Sequence, residues 1–114
     1  MDNSNYPVID WEQATKLAGN KRELAEEMLN LLVRDLPRDI SAIQSSYQDQ
    51  NYVEMLRQVH KLHGALCYCG LPRIKSVVWR LETELKSNIM DNLQILTESL
   101  NNEVNLLLGH VNHS

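Results

Sequence analysis

The sequence predicts an all-α protein: an up-down-up-down four-helix bundle with a short additional N-terminal helix. Three observations carry that expectation. Apolar residues recur at three- and four-residue spacing over long stretches. Phenylalanine is absent and aromatics make up only 5% of the chain, while leucine abounds, which favours helix packing over a β-sandwich. Four glycines and three prolines in 114 residues are too little turn material for a many-stranded fold. At 43% hydrophobic, a chain of this length builds one domain with its own core.

A first helix is expected over about Asp10 to Ala18, where Asp10 and Gln13 form a capping-box pattern and Gly19 is a natural stop. A long second helix opens at Asn20, with Glu23 three residues on and a stripe of Leu24, Met28, Leu31, Leu32, Leu36, Ile40, Ile43 and Tyr47. Pro37 lies inside the stripe, and the pattern continues past it, so a kinked single helix is expected. The third helix starts at Asn51 with Glu54 in its first turn, carries Tyr52, Met55, Leu56, Val59, Leu62 and Leu66, and stops near Cys69 at Gly70. Pro72 opens the fourth, where a missing N–H costs nothing. It carries Leu71, Ile74, Val77, Val78, Leu81 and Leu85. The fifth begins near Asp91 and carries Leu93, Leu96, Leu100, Val104, Leu107 and Val111. The bundle is therefore expected over residues 10–109, after a flexible segment 1–9 and before a frayed tail 110–114. Short connections make consecutive long helices antiparallel. Trp11 and Trp79 are expected to be packing residues, and the tail histidines His110 and His113 get no role.

Composition excludes several functions. Net charge is -4 and no long basic run exists, so there is no electrostatic footprint for nucleic acid. No apolar stretch approaches the ~20 residues that span a bilayer, and no membrane contact is expected. The N-terminus has no signal-peptide core. Cys67 and Cys69 would point to nearly opposite sides of a helix and cannot bridge. A reducing, cytoplasmic compartment is the expectation.

The unusual chemistry lies on the third helix. Val59, Leu62 and Leu66 define its buried face, and His60 falls roughly 115° from the centre of that face. Arg57, Gly64 and Cys67 share the His60 flank, Lys61 lies further toward solvent, and His63 falls about 55° from the core centre, partly covered. A glycine at an exposed helical position costs about 1 kcal/mol relative to alanine, so Gly64 makes sense if a partner must approach beside His60. A neutral imidazole offers one nitrogen lone pair as a nucleophile, and Arg57, Lys61 and His63 can offset phosphoryl charge.

The run His60-Lys61-Leu62-His63-Gly64-Ala65-Leu66, followed by Gly70-Leu71-Pro72, resembles the signature of histidine phosphotransfer (HPt) domains. The subgroup it is most similar to is the C-terminal HPt domain of BarA/GacS-type hybrid sensor kinases, a likeness shared by Asp10-Trp11 and the Asn20-Lys21 to Leu29 stretch. The resemblance implies a phosphorelay module in which His60 accepts a phosphoryl group from a receiver-domain aspartate and passes it to a response-regulator aspartate. It implies that Gly64 gives the receiver room, that His63 replaces a usual lysine, and that Glu82 on the fourth helix stands where a polar residue bonds the histidine. Such a residue orients the ring and holds a proton on the nitrogen that does not react. The docking face would combine the His60 flank with parts of the second and fourth helices. The domain would be a phosphocarrier with no ATP site or cofactor of its own, Mg²⁺ coming with the receiver. It would be monomeric when isolated, and would form the cytoplasmic C-terminal part of an inner-membrane hybrid sensor kinase.

Two other classes remain open on the residues alone. A non-catalytic helical interaction domain would show the same core stripes and leave the His60–Gly64 flank unexplained. A zinc-binding helical module would draw on His60, His63, Cys67 and Cys69, but Cys69 projects nearly opposite to His60.

Overall fold

The computed structural model describes residues 5–112. Five helices follow one another, α1 (Trp11–Leu17), α2 (Arg22–Gln48), α3 (Tyr52–Leu66), α4 (Pro72–Lys86) and α5 (Leu93–Asn112). Among the described residues there is no strand. Helix α2 packs on α3, α3 on α4, α4 on α5 and α5 back on α2. That closed ring is the expected up-down-up-down bundle, and α1 packs on α2 at one end.

The start signals work as their chemistry requires. Asp10 accepts from the Gln13 backbone N–H and Asn51 from that of Glu54, each satisfying an otherwise orphaned donor of a first turn. Pro72 is the first residue of α4. Helix α2 continues as one element through Pro37. The main core cluster runs from Leu29, Leu36 and Ile43 through Met55, Val59 and Leu66 to Leu81, Leu100 and Leu107. A smaller cluster of Ala14, Ala18 and Ala25 lets α1 sit close against α2.

Several boundaries differ from expectation. Asn20 does not open α2; it takes φ 67° after Gly19 at φ 68° and belongs to the α1–α2 turn, a left-handed position that asparagine tolerates. Lys21 precedes α2 without a side-chain cap. Helix α3 ends at Leu66, one turn early. Helix α5 continues to Asn112, so residues 110–112 extend the bundle where a frayed tail was expected; residues 113 and 114 lie outside the described residues. The N-terminal segment expected to be flexible includes Val8 and Ile9, which pack on the core, while residues 1–4 lie outside the described residues. On α2 the expected stripe is rotated in its first half: Leu24 and Leu31 are exposed, and Ala25 and Leu29 are buried instead. Trp79, expected to pack, is 54% exposed.

Candidate functional site

Helix α3 presents its residues in two registers. Val59, Leu62 and Leu66 are buried, and the register that buries them turns His60 outward, with its side chain 71% exposed. One turn on, Gly64 is exposed, and a Cβ built there meets no atom within 4 Å. Nothing in the fold demands a glycine at this position. The imidazole therefore stands beside an open strip of helix backbone.

Helix α4 supplies the other half of the site. Its buried side includes Glu82, which lies among Val78, Leu81 and Leu85 yet has a charged side chain only 6% exposed. A buried carboxylate needs donors, and Glu82 has three. Its Oε2 pairs with Nδ1 of His60 and lies 3.3 Å from Nζ of Lys86. Its Oε1 lies 2.6 Å from Nδ1 of His63, whose side chain is 21% exposed. Burial pulls the Glu82 carboxyl upward, but the bonds from His60, His63 and Lys86 outweigh it and hold the group down at about 2. At neutral pH it is an acceptor-only carboxylate, so each Nδ1 must be the donor. In the neutral His60 ring the proton thus sits on Nδ1, and the lone pair is on Nε2.

The remaining predicted residues lie on the other side of α3. Arg57 does not reach toward His60; its guanidinium pairs with Glu54 one turn back, Nε donating to the carboxylate at 3.0 Å. Arg57 and Lys61 instead line a groove between α2 and α3 with Met28, Leu31, Arg38 and Tyr68. His60 stands on the crest between this groove and the Glu82 cluster. Cys69 is buried and its thiol donates to the Ala65 carbonyl at 3.5 Å, with burial pushing the thiol up. The four ligands weighed for zinc therefore do not converge on one point: Cys69 is turned into the core, while His60 and His63 are engaged with Glu82. The second partner of Glu82 was missed from sequence, although His63 and Glu82 were each singled out.

Comparison with known proteins gives this geometry a family. The family model described as "Hpt domain" matches residues 27–110. The chain belongs to the Hpt domain family. It is 40% identical over 81 residues to the sensor protein GacS of Pseudomonas syringae pv. syringae, an alignment covering 71% of this chain and 9% of that protein. It is 30% identical over 110 residues to the signal transduction histidine-protein kinase BarA of Escherichia coli K12, covering 90% of this chain and 12% of that protein. The chain thus spans about a tenth of the length of these relatives. The crystal structure of the HPt domain from a hybrid histidine kinase of Shewanella superposes with a TM-score of 0.77 at 28% identity, covering 94% of this chain and 96% of that one. The Hpt assignment agrees with the bundle, and among the described residues no helix is long and apolar enough to cross a membrane.

Proposed function

We propose that this Hpt domain carries phosphoryl groups on His60 between two receiver domains, as part of a hybrid sensor kinase. The observation that carries the reading is the pairing of an exposed imidazole, its Nδ1 held by a buried carboxylate, with the vacant strip at Gly64. In the transfer, Nε2 of His60 attacks the phosphorus of a receiver's aspartyl phosphate. The P–N bond forms as the P–O bond to the aspartate breaks, and the aspartate leaves as a carboxylate. The imidazole gains positive charge and keeps its proton on Nδ1, whose hydrogen bond Glu82 accepts. The reverse sequence delivers the group to a response-regulator aspartate.

Phosphoryl transfer needs charge stabilisation and alignment. Glu82 is the carboxylate at the site and its oxygens are already taken by His60, His63 and Lys86, so the Mg²⁺ is proposed to come with the receiver. Lys61 borders the groove proposed as the receiver's docking face, and its positive charge favours the receiver's acidic site, whereas the Arg57 charge is already met by Glu54. The domain is proposed to work as a cytoplasmic monomer. Incubation with a phosphorylated receiver domain, followed by phosphosite mapping, tests the reading. The wild type should take up an acid-labile, base-stable label on His60. His60→Gln should keep its helical circular dichroism and lose uptake, and His63→Gln should retain it at a reduced rate. A label on His60→Gln, mapping to His63 or elsewhere, overturns the assignment.

A further inference from the structure

Glu82 serves two imidazoles with separate oxygens, Oε2 for His60 and Oε1 for His63, the latter at 2.6 Å. We propose that His63 is a positioning residue for His60, acting through Glu82. By engaging Oε1 it fixes the rotation of the carboxylate, so that Oε2 is presented to Nδ1 of His60 and the reactive lone pair stays on Nε2. The inference rests on His60 being the phosphoacceptor.

The terminal torsion of a glutamate is broad and two-fold, so one contact does not define where its second oxygen points. The His60 ring cannot supply the definition, because it is 71% exposed. His63 can, because its side chain is 21% exposed and held in the seam between α3 and α4. Lys86 cannot replace it. Its Nζ lies on Oε2, the oxygen His60 uses, and its side chain is 58% exposed on a flexible stem. Lysine therefore neutralises the carboxylate, whereas His63 aims it. The aim matters because a neutral imidazole without constraint prefers its proton on Nε2, the tautomer in which Nε2 has no lone pair with which to attack.

The test uses the whole chain and two readouts. The first is the tautomer of the His60 ring by ¹⁵N NMR at pH about 9, well above the ordinary histidine range. The second is the rate of phosphoryl uptake from a phosphorylated receiver domain. In the wild type the His60 proton should sit on Nδ1. His63→Ala should move it substantially to Nε2 and slow uptake about tenfold. His63→Asn, whose amide nitrogen stands near the former Nδ1, should restore both. His63→Leu, which covers the seam without a donor, replaces His63→Ala if that variant does not fold. A tautomer unchanged in the donor-less variants overturns the proposal whatever the rate does, and so does a failure of His63→Asn to restore it. If the wild type takes up no phosphoryl group, the phosphotransfer reading fails, while the tautomer still decides the role of His63.

Discussion

Two regions of the bundle each combine a glycine with a buried glutamate bonded across helices, and they use the pair differently. At the end covered by α1, Gly70 takes φ 62° with its α-carbon pressed against α1, and its carbonyl accepts from the Asp10 N–H at 2.9 Å. Nearby Glu103 of α5 receives two bonds of 2.9 Å from the guanidinium of Arg73 on α4. On the crest of α3, a Cβ added at Gly64 would meet nothing within 4 Å, and Glu82 is held by two imidazoles and a lysine. The guanidinium of the first region is a permanent charge in a fixed fork. The imidazoles of the second can give, take and relocate a proton. Burial of a carboxylate therefore does not mark a working site; the chemistry of its donors does, and so does a glycine that the fold leaves idle.

The largest expected effect breaks the first region. Glu103→Ala removes the carboxylate from a guanidinium whose side chain is 21% exposed, and should cost about 3 kcal/mol of stability. Uptake of phosphoryl groups by the folded fraction should be unchanged. Glu82→Ala should cost less stability, about 1 kcal/mol, because the exposed His60 ring and Lys86 ammonium can turn to water and an imidazole, unlike a guanidinium, need carry no charge, yet it should slow uptake more. Urea denaturation beside a receiver assay checks both variants. Equal losses in both readouts would erase the distinction between the two carboxylates.

Gly70→Ala comes next. An added Cβ would stand 2.7 Å from the Asp10 carbonyl oxygen and 2.8 Å from Ala14 Cβ, on a residue whose positive φ already disfavours a side chain. A loss of about 2 kcal/mol is expected, read as a lower midpoint in urea. A smaller effect concerns acid. The Glu82 carboxyl titrates at about 2 in the folded protein against 4.5 unpaired. A group lowered by folding contributes stability above its unfolded value and loses it as pH falls through its folded value. The stability difference between wild type and Glu82→Gln should shrink as pH falls from about 5 toward about 2. Melting temperatures across that range check it, and a difference that does not shrink contradicts the ionised, hydrogen-bonded carboxylate.

Much of this contrast was legible in the sequence. The α3 wheel placed His60 and Gly64 outward because three large apolar residues, Val59, Leu62 and Leu66, fix its rotation. The same logic failed on the first half of α2, where leucines occur on both sides and the small face of Ala25, not a leucine, meets α1. The Arg57–Glu54 pair follows from three-residue helical spacing, and it takes up the guanidinium that the sequence assigns to phosphoryl charge. His63 and Glu82 lie 19 residues apart, and Arg73 and Glu103 lie 30 apart. Such pairs depend on how neighbouring helices slide along one another, which periodicity within a single helix does not encode.

The smallest expected effect sharpens the contrast most, because its sign is opposite. At Gly64 an alanine meets open space in a helical residue with no positive φ, so Gly64→Ala should stabilise the domain by about 0.5 to 1 kcal/mol through helix propensity. A methyl group barely fills the strip beside His60, and uptake should fall only slightly. Gly64→Leu should also fold, with stability held or slightly raised, but its side chain would project where a receiver must approach His60, and transfer should become poor. Thermal unfolding and receiver-dependent uptake, measured on both variants, separate the effects. Stability that holds while transfer declines from glycine to alanine to leucine assigns the glycine to partner approach. If Gly64→Leu instead unfolds and its residual folded fraction transfers normally, Gly64 is a packing residue like Gly70, and the crest of α3 loses the feature that distinguishes it.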